Sequence, residues 1–510
     1  MRATLLACAA GLLFSVCAAS QPAPTLRVRR DVHSLDPNGP EIAALKRGVA
    51  AMKARAATDP TSWAYQGAIH GTDTPGNAAG WNSCQHGSFF FLSWHRMYLH
   101  FFERILRSAS GDPTLTLPYW NYSKPGQNSL PVPLRRPATL ENPLFEPARD
   151  AAANGGATFP SSATGSSRAM SLTRFSSAVS ASRGFGGRIV SQPVHFSSAH
   201  GAIESQPHDN VHVLVGGDAG LMSDPNFAAL DPVFWLHHCN IDRLWESWVA
   251  RGGGRSNPTG DTAWMNTEFT FFDENRNQVR MKGSEIVNAA KQLGYGYDAL
   301  EAPSSPQAVP ESAPQPERMT TPKTLVTRDR KTLLEESTEV SLSLPKKALE
   351  PSGPESIGGR AVVLHIEGLK STASSGGYWE VYLNVPKGAR PDPDGPHFIG
   401  TIAFFGRKHA HDPGAPSTQD FEVTEVVERL RREKKLEDGK LNLSFVRRTI
   451  DAGAAVPAPG PAPALPKPES KKKGAKPPKE PKPAAAAKPA PKAGKILGEP
   501  QFTKIRVEIL

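Results

Sequence analysis

The spacing of apolar positions differs between the two parts of the chain. Between about residues 25 and 300, apolar residues recur at helical spacing, as at Leu99, Phe102 and Leu106, and long Gly/Ser/Ala-rich loops separate these segments. From about residue 336 the apolar residues fall in short alternating runs between Gly and Pro turns, a pattern typical of β-strands. The chain is therefore predicted to have a mainly α-helical domain followed by an antiparallel β-sandwich domain.

The C-terminal domain, residues 336–510, is predicted in more detail from these runs. Strands are predicted over residues 340–344, 362–366, 379–383, 398–405, 441–445 and 502–509, and a helix over about 423–430. A Pro/Ala/Lys tract at 452–495 has the composition of a disordered, extended segment. We interpret it as an insertion before the last strand, because the entropic cost of closing a loop rises slowly with length. A plain C-terminal tail is the alternative.

Two further segments flank the helical domain. Residues 1–20 are predicted to be a secretory signal peptide, because the apolar run from Leu5 to Val16 is too short to span a bilayer and the small residues Ala18 and Ser20 suit cleavage. No later segment is apolar enough for a membrane helix, so we expect a secreted or periplasmic protein without membrane insertion. Residues 301–335 are rich in Pro and Ser and are predicted to be a linker.

The net charge of +10 comes mainly from the Pro/Ala/Lys tract. Residues 467–495 contain ten lysines and two glutamates, so the rest of the chain is close to neutral. The sequence shows no basic groove with interleaved aromatic residues, which argues against a nucleic-acid partner. The tract could contact acidic surfaces weakly through its charge, and a solvated spacer is its simplest role.

Histidine dominates the candidate chemistry of the helical domain, which contains eleven of the fifteen histidines. Six of them form two groups along the chain: His70, His86 and His95, and then His208, His212 and His238. Neutral imidazole suits copper, zinc, iron and nickel, and three such ligands leave an open coordination position for a reactive metal. Two groups of three therefore predict two metal ions that face one substrate cavity.

Spacing indicates how these rings are presented. His208 and His212 are four residues apart, so both project from one helix face. His86 and His95 are nine apart, which would place them on opposite sides of one helix, so we place His86 in the Gly-rich loop before the helix that carries His95. His70 lies upstream on an apolar segment and completes the first group.

Two residues close to His238 in the sequence are expected to contact the ligands without binding the metal. Asp242 follows His238 at the same four-residue spacing. It could orient a ligand ring or form a salt bridge to an arginine such as Arg96 or Arg243. His237 points about a third of a turn away from His238, so we expect it to contact the ligands and not to bind the metal itself.

The remaining histidines are predicted to be packing or surface residues. They are His33, His100, His195, His200, His365 and His397, and His409 and His411 in an exposed polar turn. A lone histidine is more often structural than a ligand, so none of them is assigned a metal.

Two long segments resemble the copper signatures of the tyrosinase, catechol oxidase and haemocyanin family of type-3 copper proteins. Residues 86–103 include Phe-Leu-Ser-Trp-His-Arg, and residues 231–242 read Asp-Pro-Val-Phe-Trp-Leu-His-His-Cys-Asn-Ile-Asp. Residues 201–217, with Glu-Ser-Gln-Pro-His-Asp-Asn-Val-His, extend the match. The resemblance implies a four-helix bundle that holds two copper ions and binds O2 between them. One copper would be held by the first histidine group and the other by the second.

The resemblance extends beyond the copper motifs. Residues 295–297, Tyr-Gly-Tyr, resemble the tyrosine motif on which an N-terminal arginine packs in plant and fungal members, here Arg29 or Arg30. Residues 377–384 and 398–406 resemble the C-terminal sandwich of plant polyphenol oxidases. In plant relatives that domain covers the copper site until the linker is cut. The resemblance therefore implies a latent enzyme that oxidises catechols to o-quinones with O2.

Cys84 matches a cysteine that forms a thioether bond to a copper-binding histidine in fungal and molluscan relatives. It precedes His86 by two residues, so the resemblance implies a Cys84–His86 cross-link that would fix the ring. An ordinary buried thiol is the alternative. Cys239, the only other cysteine beyond the signal peptide, is expected to pack in its helix, and disulfides do not hold this chain together.

Glu204 lies one helical turn before His208 and matches a glutamate that, in the family, holds a water able to accept the phenol proton. A surface residue near a helix N-terminus is the alternative. Asp209 stands where an asparagine often helps to hold that water. Because an ionised Asp only accepts hydrogen bonds and repels a phenolate, catechol oxidation is expected and monophenol hydroxylation is in doubt. Pro225 and Phe227 occupy the gate position above the second copper and suggest an open entrance.

Two other functions use similar residues. A haemocyanin-like O2 carrier would bind O2 at the same metal pair but shield it from phenols. A dinuclear zinc hydrolase would normally add bridging carboxylates, whereas all six candidate ligands here are imidazoles. Turnover of small phenolic substrates separates the enzyme from the carrier, and bound copper separates it from the hydrolase.

Overall fold

The computed structural model describes residues 26–196, 199–302, 322–350, 352–371, 376–405, 418–436, 438–450 and 500–510. The predicted signal peptide, most of the linker, the Pro/Ala/Lys tract and the turn with His409 and His411 lie outside these residues. Within them, a mainly helical domain precedes a domain of β-sheets, which confirms the predicted order. None of the helices in these ranges is long and apolar enough to cross a membrane.

The helical domain is built around two long helices. Its helices are α1 (Pro40–Lys53), α2 (Trp63–His70), α3 (Phe90–Ser110), α4 (Val132–Arg135), α5 (Ala151–Gly155), α6 (Ser161–Thr164), α7 (Ser167–Ser171), α8 (Asp209–Gly216), α9 (Pro232–Ala250) and α10 (Thr262–Asn266). Helix α3 packs against α1 and α9. The Asp231 side chain accepts the Val233 N–H to start α9, and Gly111, at φ +70°, ends α3 in the left-handed conformation.

The helical domain also contains six short strands, and one pair of them connects its first described residues to its end. They are β1 (Arg27–Arg29), β2 (Ser176–Ser177), β3 (Gly187–Arg188), β4 (Glu268–Phe272), β5 (Gln278–Lys282) and β6 (Tyr295–Tyr297). Strand β1 pairs in parallel with β6. The Arg29 guanidinium lies 3.7 Å from the centre of the Tyr295 ring, whereas Arg30 is exposed and pairs with Glu41. Arg29 is therefore the arginine that packs on the tyrosine motif.

The C-terminal domain consists of two four-stranded antiparallel sheets around one hydrophobic core. Its elements are β7 (Lys323–Leu333), β8 (Ser337–Ser343), α11 (Lys346–Leu349), β9 (Val362–Glu367), β10 (Tyr378–Leu383), β11 (Phe398–Ile402), β12 (Thr418–Glu422), α12 (Thr424–Arg432), β13 (Lys440–Arg448) and β14 (Gln501–Ile509). The strand orders are β11-β10-β13-β8 and β12-β9-β14-β7. Two sheets that enclose a shared apolar core form a β-sandwich.

Two details of the predicted C-terminal domain are settled by strand pairing. Strand β14 lies between β9 and β7, so the segment after the Pro/Ala/Lys tract is part of the sheet and the tail alternative is wrong. The predicted linker, 301–335, is too long, because residues 323–333 already form β7. The sequence pattern missed β7 because this edge strand is largely solvent-facing and charged, without alternating apolar residues. It also missed β12, and the strand predicted over 398–405 ends at Ile402.

Candidate metal centre

The six candidate histidines converge from four helices and two connecting segments, and all are buried. His70 ends α2, His86 lies in the loop before α3, His95 is on α3, His208 ends a kinked turn (Glu204–His208), His212 is on α8 and His238 is on α9. The predicted placement of His86 before the helix and of His95 on it is therefore confirmed. Gln206 is extended within that turn, at φ −152° and ψ 121°, so Glu204 does not lie one regular helical turn before His208 as predicted.

Within each group of three the rings are mutual neighbours. In the first trio (His70, His86, His95) the ring centres lie 5.3, 5.6 and 5.3 Å apart. In the second trio (His208, His212, His238) they lie 4.5, 5.0 and 5.6 Å apart. The trios meet where the rings of His95 and His238 stack at 4.2 Å, so both face one interior space.

Hydrogen bonds leave the Nε2 atom of these rings available. The Nδ1–H groups of His70, His95 and His212 each donate to a main-chain carbonyl at 2.8 Å. Such a bond fixes the tautomer and leaves the Nε2 lone pair as the ligand atom. In the described part of the chain, the Nε2 atoms of all six rings are buried and have no hydrogen-bond partner. A buried nitrogen without a partner is costly, and a bound metal would remove that cost.

Burial also holds these rings in the form that binds metals. It lowers the pKa of His95 to about 3 and that of His212 to about 4, and it lowers the pKa of the other four rings well below the ordinary value of histidine. A neutral imidazole does not have to lose a proton before it binds a metal. The donor set is rich in nitrogen and includes no carboxylate, which fits copper better than magnesium or calcium.

Possible ligand atoms within 4.8 Å of one another form three overlapping groups. These are His208, His212, His237 and His238; His70, His95 and His238; and His70, Cys84 and His86. The second group shares His238 with the first and His70 with the third, so the possible ligand atoms of both trios form one connected set. His237 lies beside the second trio, with its ring centre 4.8 Å from that of His212.

Cys84 lies against the first trio. Its Sγ atom is 3.4 Å from Nδ1 of His86 and also 3.4 Å from Nδ1 of His195. Burial raises the pKa of the Cys84 thiol. Cys84 and Cys239 are both buried and free, so neither takes part in a disulfide. No local pattern indicated that His195 would contact Cys84, because the two residues are 111 positions apart along the chain.

Glu204 is fully buried beside the loop that carries His86, which rules out the surface alternative. Its carboxylate accepts the Gly87 N–H at 3.0 Å, and one oxygen lies 3.9 Å from Nε2 of His200. Burial raises the pKa of Glu204 to about 8; His200 opposes this rise and the charge of Asp209 adds to it. A bound dication would favour the carboxylate and lower this pKa.

Asp209 accepts hydrogen bonds from two imidazoles. Its Oδ1 lies 2.9 Å from Nδ1 of His208 and its Oδ2 lies 2.6 Å from Nδ1 of His200. All three side chains are buried. His200, predicted to be structural, is thus linked through Asp209 to the candidate ligand His208. No local motif indicated this position.

Asp242 and Arg96 form a structural cluster next to α9. Arg96 donates to Asp242 at 2.6 Å, and the hydroxyls of Tyr295 and Tyr297 donate to the same carboxylate at 2.6 and 2.5 Å. Of the two arginines considered, Arg96 is the partner of Asp242. No hydrogen bond from Asp242 to His238 occurs in the described part of the chain, so Asp242 holds the tyrosine motif in place and does not orient a ligand ring.

The residue that covers the candidate centre comes from the sandwich domain. The ring of Phe405 stacks on His212 at 4.0 Å and lies 5.5 Å from His208 and 5.8 Å from His86. Phe405 is buried in the hydrophobic core of the helical domain. Of the two predicted gate residues, Pro225 accepts the Nδ1–H of His70 through its carbonyl. The other, Phe227, is half-buried.

Several hydrogen bonds fasten the sandwich domain around this covered site. Asn210 donates to Thr401 at 3.0 Å, and Gln419 donates to Ser205 at 3.1 Å. Ser205 and Asn210 lie on either side of His208 along the chain. The sandwich therefore contacts the second trio both through Phe405 and through the segment that presents His208.

Comparison with known proteins identifies three matched regions. Residues 60–251 match the common central domain of tyrosinase, residues 259–306 match a polyphenol oxidase middle domain, and residues 328–456 match a domain of unknown function. The first two regions together contain all six candidate ligands and the tyrosine motif.

One curated relative and one solved structure match more than four-fifths of the chain, and a second relative matches about half of it. A tyrosinase of Hahella sp. is 29% identical over 463 residues, which are 82% of this chain and 95% of that protein. The latent form of a chloroplastic polyphenol oxidase of Prunus armeniaca is 34% identical over 284 residues, but the chain spans only 47% of its length. The solved structure of latent apple tyrosinase superimposes with a TM-score of 0.60 at 24% identity, covering 84% of this chain and 95% of the apple chain.

Proposed function

The chain is a copper-dependent phenol oxidase of the tyrosinase and polyphenol oxidase family, and from this premise we propose that it oxidises o-diphenols to o-quinones with O2 at a pair of copper ions. In this reaction two catechols and one O2 give two o-quinones and two waters. The observation that carries the proposal is the set of six buried Nε2 atoms without partners in the described residues. The first trio would hold one copper and the second trio the other.

The chain's own residues prepare this site for a phenol. When bound, the two coppers supply the electron transfer that links catechol oxidation to the reduction of O2. Glu204 accepts the Gly87 N–H with its carboxylate and would hold a water that takes the phenol proton. Since phenols lose that proton only near pH 10 in water, a nearby base assists their binding.

Monophenols are expected to be poorer substrates than catechols. Asp209 accepts hydrogen bonds from His200 and His208 and has no N–H group to offer a water held by Glu204. Its negative charge also opposes the approach of a phenolate. Both effects apply at the second trio, where Asp209 follows His208.

We also propose that the uncut chain is latent. The support for this is Phe405, whose ring stacks on His212 at 4.0 Å and would obstruct the approach of a substrate ring to the second trio. Cutting between Ala302 and Lys323, upstream of β7, would release the sandwich domain from the covalent chain. The same covering would suit an O2 carrier, so turnover after cutting is the property that separates the two functions.

Two further features belong to the proposal. The 3.4 Å approach of Cys84 Sγ to the ring of His86 supports a thioether cross-link between them. The apolar run from Leu5 to Val16 supports export, which would place the enzyme outside the cytoplasm.

The test uses the full chain loaded with copper, before and after mild trypsin. Initial rates are measured with 4-methylcatechol and with tyramine. We expect low turnover of both before cutting, fast turnover of the catechol afterwards, and slower turnover of tyramine. No catechol turnover after cutting would favour the O2 carrier, and equal rates with the two substrates would contradict the role of Asp209.

A further inference from the structure

A carboxylate and an imidazole that belong to neither trio, Asp209 and His200, contact the second trio at His208. Asp209 accepts one Nδ1–H from His208 at 2.9 Å and another from His200 at 2.6 Å. Hydrogen bonds of this length to a carboxylate are about twice as strong as bonds between neutral groups. The three side chains therefore form one buried chain, His200–Asp209–His208.

We propose that His200 is a positioning residue for the second metal: it holds Asp209 in the orientation that keeps the Nδ1–H of His208 bonded and its Nε2 aimed at the ion. The proposal rests on the proposed function, because it assumes that His208 is a metal ligand. His200 itself binds no metal in this account.

The need for such a residue follows from how the other rings are anchored. His70, His95 and His212 donate to main-chain carbonyls, whose positions are fixed by the surrounding backbone. His208 donates instead to a side chain that can rotate about two bonds. A second hydrogen bond, to Oδ2, fixes the plane of that carboxylate and so gives it the rigidity of a main-chain acceptor.

The position of His200 also keeps Asp209 apart from Glu204. The far nitrogen of the ring, Nε2, lies 3.9 Å from a Glu204 oxygen, while Nδ1 contacts Asp209. One imidazole thus stands between the two carboxylates of the site. Without this ring Asp209 would lose its second partner and could turn away from His208.

Three substitutions separate the hydrogen bond from the bulk of the ring. The amide nitrogen of Asn can occupy the position of Nδ1, whereas that of Gln can occupy the position of Nε2. His200→Asn should therefore keep the bond to Asp209, while His200→Gln and His200→Leu should lose it. Removing a partner of this kind typically costs 10- to 100-fold in metal affinity.

The measurement is a Cu(I) titration of the full metal-free chain in competition with a chelator. We expect wild type and His200→Asn to bind two ions with similar affinity, within about threefold. His200→Gln and His200→Leu should bind the weaker of the two ions at least about tenfold less tightly. After oxidation, chains that hold a single Cu(II) should show an electron paramagnetic resonance signal that the coupled pair of the wild type lacks.

The control is His365→Leu, which removes another buried histidine that lies 2.7 Å from an aspartate, Asp420, in the sandwich domain. It should bind both ions like the wild type, and thermal unfolding of each metal-free variant checks that it folds. The inference is overturned if His200→Gln binds both ions as tightly as wild type, or if His200→Asn is as weak as His200→Gln. If the wild-type chain itself fails to bind two ions, the proposed function fails first.

Discussion

Each of the two histidine trios consists of three imidazoles, but the protein supports the two trios differently. In the first trio, His70 and His95 are anchored by main-chain carbonyls. In the second, His212 is anchored in the same way, whereas His208 depends on the side chain of Asp209. A main-chain anchor survives any side-chain substitution, and a carboxylate anchor does not. The second trio is therefore where a single substitution can alter ligand geometry without touching a ligand.

The second trio is also the one that the sandwich domain covers. Phe405 stacks on His212, and hydrogen bonds from Asn210 and Gln419 connect the two domains on either side of His208. In the proposed enzyme, the support of a ligand, the access of substrate and the choice of substrate would thus all depend on the second trio. In the first trio only His86 lies near Phe405, with ring centres 5.8 Å apart. The special feature of this trio is the contact between Cys84 and His86.

The largest effect should come from removing a ligand in either trio. His95→Ala and His212→Ala should each lower catechol turnover by more than about 100-fold, because even partners behind the ligands contribute 10- to 100-fold. The measurement is the initial rate with 4-methylcatechol after copper loading and mild trypsin. His33→Ala, which changes a histidine outside the centre, is the control and should keep the wild-type rate. If one ligand variant kept a tenth of the wild-type rate with 4-methylcatechol, the two trios would not contribute equally to the reaction.

Glu204→Gln should affect the two substrates very differently. The amide keeps a hydrogen-bond acceptor for the Gly87 N–H but cannot take a proton, so the tyramine rate should fall by about 100-fold, within the range for loss of a general base. The catechol rate should stay within a fewfold of wild type and serves as the internal control. Parallel loss of both rates would show that Glu204 supports the site structurally.

Phe405→Ala should raise the activity of the uncut chain by about tenfold, the effect of relieving roughly 1.4 kcal/mol of blockage. The measurement is catechol turnover without protease, and the cut chain should respond far less. Phe398→Ala is the matched control, because Phe398 lies on β11 of the same domain and packs on Tyr382. Activation of both variants would point to a general loosening of the sandwich.

Asp209→Asn is expected to have the smallest effect on the choice of substrate. The amide oxygen can still accept the Nδ1–H of His208, while the negative charge near the substrate is lost. The amide NH2 group cannot accept the Nδ1–H of His200, so copper binding should weaken as in His200→Gln, and the rates are measured with copper in excess. The ratio of tyramine to catechol turnover should therefore rise by about threefold, the scale of one partly screened charge. A ratio that stays constant or falls would show that the charge of Asp209 does not limit the use of monophenols.

Much of the metal centre was predictable because its residues sit in two long local patterns. His95 and His238 lie within dense segments of apolar and aromatic residues, and His208 and His212 share one helix face. The helical spacing of α3 and the alternation in β10 and β13 likewise revealed the two domains. These features depend on neighbours in the sequence, which one chain is enough to display.

The missed features depend on contacts between distant parts of the chain. Phe405 contacts His212 from another domain. No local pattern distinguishes it from the other residues of the strand predicted over 398–405. His200 looked like a lone histidine until folding placed it against Asp209. Strand β7 is polar and charged, so only its pairing with β14 reveals it. Tertiary contact, more than local propensity, defines these elements.

The most direct test of the account is a crystal structure of the copper-loaded chain with anomalous diffraction at the copper edge. Two anomalous peaks are expected, one within about 2 Å of the Nε2 atoms of each trio, as for other metal–imidazole bonds. A single peak, or peaks bound by other residues, would contradict the claim that these six histidines hold a copper pair.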